Sequence, residues 1–314
     1  MAKKGKCIIY GGGGFIGSHL CEELLKNNYE VTVFDKISFS KKNISNFTDD
    51  VKIIEGDFNN EVDIRNSLND SDYVFHLVSS TLPAASNENP IYDVETNLIS
   101  SLMLFRECVD RKIKKIIFLS SGGTVYGIPK NIPIKENHFS NPICSYGIIK
   151  KAIEEYLFLF ERIYGLDYLV FRLSNPYGER QNPYASQGVI PVFINKAIHE
   201  EKIIIWGDGS VIRDYIYIKD AVKVIAGSIK KETSSKVFNL SSGKGYSLND
   251  IIELINLISD RKTRVEYTES RYSDVPVNIL DNELVKKTFG YEPQTNIEDG
   301  IKKVFRYLQN MNDR

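Results

Sequence analysis

Tyr146 and Lys150 lie four positions apart in the segment SYGIIKKAIEEYLFLF. That spacing puts both side chains on one face of the helix that begins there. A tyrosine, with an unperturbed pKa of about 10, is a poor base near neutral pH, but a neighbouring ammonium favours its phenolate. Tyr146 is therefore expected to take a proton from a substrate hydroxyl, with its pKa lowered by Lys150. The resulting alkoxide becomes a carbonyl only if its carbon gives up a hydride, so such chemistry needs a hydride acceptor, and the start of the chain suggests one.

Gly11 to Gly17 reads GGGGFIG, directly after the strand-like run CIIY and directly before an amphipathic stretch. Amides at a helix N-terminus after such a turn are where a dinucleotide pyrophosphate binds. Gly11, Gly14 and Gly17 give G-x-x-G-x-x-G, while Gly12, Gly14 and Gly17 also satisfy G-x-G-x-x-G, so the register stays open. Asp35 ends the next apolar run, VTVFD, about 20 residues on, where a carboxylate can accept both ribose hydroxyls and repel a 2′-phosphate. This favours NAD over NADP, and a positive nicotinamide ring beside Tyr146 would favour its phenolate further. Lys150 would also bind the nicotinamide ribose. Asp57, with Phe58 beside it in EGDFNN, follows the third run and could reach the adenine edge; a turn-forming aspartate is the other reading.

These residues have to be held by a scaffold. The first half alternates apolar runs with amphipathic stretches: CIIYG, a helix from about Phe15 to Asn27, VTVFD, VKIIEGD, YVFHLVS, a helix through Leu98 to Cys108, and KIIFLSS. That rhythm predicts an α/β fold with a doubly wound parallel sheet, and the continuous apolar runs imply strands buried on both faces. A helix from Lys150 to about Tyr164 precedes YLVFRLS. After Asn175 the pattern breaks at Pro176, Pro183 and Pro191, which places the main domain change there. We expect a Rossmann domain over residues 1–175, with 214–240 returning to it as a loop, helix and strand. Residues 176–213 and 241–314 would form a smaller mixed α/β substrate domain.

Composition removes other classes. Charged residues are 26% of the 314, with a formal net charge of −1 and no long run of one sign, which argues against a nucleic-acid or polybasic membrane surface. The N-terminus has too short an apolar run for a signal-peptide core, and no stretch is apolar enough to span a bilayer, so a cytoplasmic protein is expected. Cys7, Cys21, Cys108 and Cys144 form no CxxC pair, and His19, His76, His138 and His199 are scattered. Free thiols and no metal are expected.

The glycine turn, Asp35, SSGGTVYG at Ser120–Gly127, SYGIIK at Ser145–Lys150, NPYGERQNP from Asn175 and WGDGSVIRDYIYIKD from Trp206 follow one another in a single order. Together they resemble the extended short-chain dehydrogenase/reductase family of nucleotide-sugar epimerases and dehydratases, over essentially the whole chain. The resemblance implies a permanently held NAD and a nucleoside-diphosphate sugar bound by the C-terminal part. It places Phe15 and Ile16 at the pyrophosphate, Leu77, Val78, Ser79 and Ser80 along the cofactor, and Asn97 near its ribose. Asn175, Arg213 and Arg271 match diphosphate contacts, with guanidinium forks suited to a dianion. Val189 in QGVIP, Trp206 and Asp274 fall in the same substrate half. The resemblance also implies a homodimer through the helices at Leu98–Cys108 and Lys150–Tyr164.

Two positions depart from the family. A Ser or Thr usually stands where Gly122 is, so Ser121, Thr124 or a water must hold the reacting hydroxyl. Gly188 replaces the asparagine that many UDP-sugar members use near the diphosphate. A dehydratase would need an acid–base pair at Gly123 and Thr124, which points instead to a 4-epimerase working through a transient 4-keto sugar. A one-way reductase or dehydrogenase of a 4-keto sugar is the alternative. Asn278 stands where members restricted to unsubstituted hexoses carry tyrosine, leaving room for an N-acetyl group. UDP-glucose and UDP-N-acetylglucosamine are the expected substrates.

Overall fold

The computed structural model describes residues 3–83, 85–270 and 275–312. Arg271 and Asp274, expected in the substrate half, lie outside the described residues. In chain order the first elements are β1 (Lys6–Tyr10), α1 (Phe15–Lys26), β2 (Glu30–Asp35), a 3-10 segment (Lys41–Asp50), β3 (Lys52–Glu55), α2 (Glu61–Ser67) and β4 (Tyr73–His76). Next come α3 (Pro90–Asp93), a π-helical turn (Val94–Ile99), α4 (Ser100–Asp110), β5 (Lys115–Ser121), α5 (Ser145–Tyr164) and β6 (Tyr168–Leu173). Then follow β7 (Asn175–Tyr177), α6 (Val189–Ile198), β8 (Ile203–Trp206), β9 (Ile212–Tyr217), α7 (Ile218–Gly227) and β10 (Val237–Leu240). The chain ends with β11 (Gly245–Ser247), α8 (Leu248–Ser259), β12 (Val265–Thr268), β13 (Val277–Asn278), α9 (Glu283–Phe289) and α10 (Ile297–Asn312). Among the described residues no helix is long and apolar enough to cross a membrane.

Two compact units result. The first comprises Met1–Gly127, Phe139–Arg172 and Val222–Phe238; the second comprises Ile128–His138, Leu173–Ala221 and Asn239–Arg314. Segment 128–138 thus groups with the second unit. Ile134 explains this: its amide donates to the Ile279 carbonyl and its carbonyl accepts from Asp281, at 2.8 Å each. The segment YIYIKD, read from sequence as a loop, holds the end of strand β9 and the start of α7. The pairing that makes Tyr215–Tyr217 a strand is long-range, with Asn175–Tyr177 of β7.

The first unit is built on a seven-stranded sheet in the order β10-β6-β5-β4-β1-β2-β3. Its inner strands β4 and β6 are buried along their lengths, which is what helices on both faces of a parallel sheet produce, whereas the edge strand β3 is half-buried to exposed. Order reverses at β1, where the chain passes from β3 on the far edge back to β4, and ligands bind at such switch points beyond the strand C-termini. Ile8, Val74, Phe105, Ile116 and Phe118 belong to one core cluster below that edge. In the second unit β9 pairs with β7, β11 and β13, while β12 and β8 form a separate pair. Helices α6, α8 and α10 carry its core, including Ile194, Ile251, Ile255 and Val304.

Candidate active site

At the C-terminal end of β1 the chain turns through Gly11, at φ +84°, into the first turn of α1. A Cβ on Gly17 would lie 2.1 Å from the Gly11 carbonyl oxygen, so only glycine lets the helix approach the turn this closely. The α1 N-cap is Gly14, which offers no side-chain cap, and no acidic residue occupies the first turn. Its orphan amides are a positive end without an internal anion. Asp35, half-buried, accepts from the Gly13 amide at 2.9 Å through Oδ2 and from the Lys36 amide at 2.9 Å through Oδ1. Burial pushes its carboxyl up, against the pull of the Lys36 and Gly13 amides and the Lys36 charge. Leu77 follows β4, and its amide reaches the Tyr10 carbonyl at 3.1 Å, which brings Val78 beside Gly11. Phe15 and Ile16 occupy the first turn of α1, half-buried.

Asp57 is exposed and accepts from the Asn59 amide at 2.8 Å, the geometry of a turn-forming aspartate. The Phe58 side chain is buried in the core, tilted against Tyr10 and His76, so it presents backbone rather than ring to any ligand. Ser80 is held by Asn97: its amide donates to Asn97 Oδ1 at 2.9 Å and its Oγ accepts from Asn97 Nδ2 at 2.8 Å. Asn97 is buried and lies in the π-helical turn, a distortion that recurs at functional sites. Ser79 is exposed.

Helix α5 places Tyr146 and Lys150 together, the Lys150 ammonium 5.5 Å from the Tyr146 ring centre and 4.7 Å from that of Phe118. Lys150 is buried and donates to the Leu119 carbonyl at 3.0 Å. Burial lowers its pKa to about 8, against the raising influence of Glu154 and Asp93. Tyr146 runs opposite to expectation. Burial raises its phenol, and Cys144 and Asp93 add to the rise. Desolvation of the phenolate is the largest influence here, so the protein alone does not favour it.

Gly122 is buried in the turn after β5, and Ser121 is half-buried at its start. Thr124 Oγ1 is buried and has no hydrogen-bond partner among the described residues. Its carbonyl lies where a Cβ on Gly147 would come within 2.8 Å, so Thr124 packs on the first turn of α5, next to Tyr146. Of the two candidate hydroxyls, that of Thr124 is the one left unsatisfied inside the fold.

A buried polar network backs this region. Glu154, one helical turn after Lys150, accepts from Arg172 (Nη2 at 2.6 Å, Nε at 3.0 Å) and from Ser120 Oγ at 2.5 Å. Arg172 also donates to the Tyr126 hydroxyl at 2.9 Å. The network fixes VYG to α5 and β6. A single arginine inside the apolar run YLVFRL was the signal for it, since a guanidinium within a two-faced strand must find a buried carboxylate.

In the second unit β9 gathers the expected substrate residues. Its register sets Arg213 opposite Asn278 of β13 and Tyr246 of β11, and Tyr215 opposite Asn175 of β7. Asn175 Nδ2 donates to the Asp214 carbonyl at 3.0 Å. Arg213 Nη1 donates to the carbonyls of Val275 at 2.6 Å and Ile212 at 2.9 Å. Asn278 is buried at 1% exposure. Between Arg213 and Tyr215, Asp214 is fully buried and accepts from Ser242, Gly243 and Leu280, which locks the strand. Val189 opens α6, and Trp206 ends β8 at 46% exposure. Gly188 sits at φ +91°, and a Cβ there would be 2.6 Å from Gln181 Nε2. The Gln181 amide therefore occupies the space that a side chain at 188 would enter.

The sequence profile of the NAD dependent epimerase/dehydratase family matches residues 7–241. The dTDP-4-dehydro-6-deoxyglucose reductase of Escherichia coli is 31% identical, with 98% of this chain and 99% of the relative covered. The UDP-glucose 4-epimerase of Thermotoga maritima, solved with UDP-glucose, is 35% identical with a TM-score of 0.92, covering 98% of this chain and 99% of that one. The UDP-N-acetylglucosamine 4-epimerase of Methanobrevibacter ruminantium M1, in complex with UDP-N-acetylmuramic acid, is 31% identical with a TM-score of 0.92, covering 99% and 100%.

Proposed function

Because the chain belongs to the NAD dependent epimerase/dehydratase family, we propose that it is a 4-epimerase of UDP-hexoses, acting on UDP-glucose and on UDP-N-acetylglucosamine. The observation that carries this reading is the pairing of Tyr146 and Lys150 on one helix face beside an unsatisfied Thr124 hydroxyl, with glycine at 123. Proton exchange at one hydroxyl is equipped there, and an elimination acid is not.

The first unit suits NAD. The turn at Gly11–Gly17 leaves room that any Cβ at 17 would close, and the uncapped α1 amides would meet the pyrophosphate. Phe15 and Ile16 would flank it, Asp35 would accept the adenosine ribose hydroxyls, and Asp57 and the Phe58 backbone would lie toward the adenine. Leu77, Val78, Ser79, Ser80 and Asn97 would line the remainder, with Lys150 on the nicotinamide ribose. When bound, NAD supplies a reversible hydride acceptor at the sugar carbon and a positive ring near Tyr146.

The chain's own residues perform the proton work. Tyr146 takes the proton of the sugar 4-hydroxyl and returns it after the keto sugar has turned over. Thr124, rather than Ser121, orients that hydroxyl in the absence of a side chain at Gly122. Lys150, with a pKa near 8 in the protein alone, holds Tyr146 and stabilises its phenolate once a second cation stands beside it. In the second unit Asn175 and Arg213 would bind the diphosphate, with Val189, Trp206 and Asn278 around the nucleotide and sugar. Arg271 and Asp274 belong to the same proposal.

A homodimer in the cytoplasm completes the reading. Ile148, Leu159 and Ile163 on α5, and Ile99 just before α4, stand 42–59% exposed on the faces the dimer would cover. A one-way reductase is the second reading, favoured by the 31% identity to a 4-keto-sugar reductase. Incubating the purified protein, with no cofactor added, with each UDP-sugar and following proton NMR distinguishes them. The galacto isomer is expected. Absence of any change, together with stoichiometric consumption of reduced cofactor on a 4-keto sugar, would overturn the epimerase in favour of the reductase.

A further inference from the structure

Helix α5 lacks a cap of its own. Its N-cap residue Cys144 makes no side-chain cap bond, and no acidic residue lies in its first turn, yet its first amides need partners. They find them outside the helix. The Ser145 amide donates to Asn87 Oδ1 at 2.9 Å and the Tyr146 amide donates to Ser86 Oγ at 3.0 Å. The Ser145 hydroxyl donates to Asp93 Oδ2 at 2.6 Å.

Asp93 has 0% exposure, and its other oxygen accepts from Thr81 Oγ1 at 2.6 Å and Asn97 Nδ2 at 2.9 Å. Asn97 in turn holds Ser80 by two hydrogen bonds. A continuous path therefore runs from Ser80 and Thr81, at the end of the segment after β4, through one buried carboxylate to the residue preceding Tyr146. A fully buried carboxylate is tolerated only when charge-assisted bonds compensate it, and each bond fixes its donor in place.

We infer that Asp93 is a positioning residue that couples the cofactor-lining segment at Ser80–Thr81 to the helix end carrying Tyr146, so that ordering one orders the other. This rests on the proposed function, and it adds a residue that touches neither sugar nor cofactor. Asp93 also contributes negative charge beside the reacting groups: Cys144 and Asp93 act on Tyr146, while Glu154 and Asp93 act on Lys150.

The test uses full-length protein purified without added cofactor, reading NAD released on denaturation, kcat, KM, and the pH profile of kcat. Asp93→Asn keeps the shape but turns one acceptor into a donor. It is expected to lower bound NAD at least threefold and kcat about tenfold or more, with KM within threefold and the acid limb of the profile moved to lower pH. Ser145→Ala should lower kcat with NAD retained, Thr81→Ala should lower retained NAD first, and Ser145→Thr should restore kcat. Wild-type NAD content and an unmoved pH profile in Asp93→Asn would overturn the coupling. If that variant does not fold, equal kcat in Ser145→Ala and Ser145→Thr overturns it. A wild-type protein that holds no NAD and converts no sugar would instead overturn the functional reading on which the inference stands.

Discussion

The two units arrange their candidate residues in different ways. In the first, the residues come in short contiguous motifs, and local structure alone aims them: a glycine turn feeds one helix, and four positions along another helix bring Lys150 beneath Tyr146. In the second, Asn175, Arg213 and Asn278 are far apart in sequence and meet only because β7 and β13 both pair with β9. A pair of groups that needs a fixed separation is thus carried on one rigid element, whereas the residues proposed for substrate recognition are spread over strands that can change one at a time.

The largest effect that would test this division is at Tyr146. Tyr146→Phe removes the proposed proton acceptor and should lower kcat by about 10²- to 10⁴-fold while bound NAD, measured after denaturation, stays at the wild-type level. Retention of activity would break the assignment of chemistry to α5. Next in size is Arg213→Ala, which should raise KM for the UDP-sugar by about 10- to 100-fold, the value of a lost charge-assisted hydrogen bond of ~1.5–3 kcal/mol, with kcat changed far less. A kcat loss as deep as that of Tyr146→Phe would dissolve the distinction between the two units.

The smallest effect concerns pH. Lys150 is held at a pKa of about 8 by burial, below its unfolded value. Below that pH it is charged in both states and the cost of burying the charge is fully present. As pH rises from about 8 toward about 10.4 the folded group becomes neutral before the unfolded one, so its destabilisation is relieved. Lys150→Met should therefore stabilise cofactor-free protein against urea by roughly 1 kcal/mol or more below pH 8, with the gain fading by pH 10. A gain independent of pH would show that packing rather than charge is responsible.

Much of the first unit is legible in the sequence because each signal is local. Continuous apolar runs mark β1 to β6, and GGGGFIG marks the turn. In the second unit β8 alternates instead, with Ile203 and Ile205 in the core and Ile204 and Trp206 about half exposed, so its apolar run is buried on one face only. YIYI reads as a loop because its pairing, with β7, is long-range and leaves no mark in its own composition. Asp93, Ser86 and Asn87 gave no signal either, because side chains that cap a helix from another loop leave no spacing to recognise.

By itself, then, the sequence determined which groups can do chemistry and the order of the elements that carry them, because helix spacing, glycine turns and strand burial depend on neighbours within a few residues. Tertiary structure alone decided how those groups are charged and held. Burial pushed the Tyr146 phenol up where sequence had it down, and a carboxylate 53 positions before Tyr146 became the anchor of its helix. Desolvation and long-range hydrogen bonding act through space, and no reading along the chain contains the distances on which they depend.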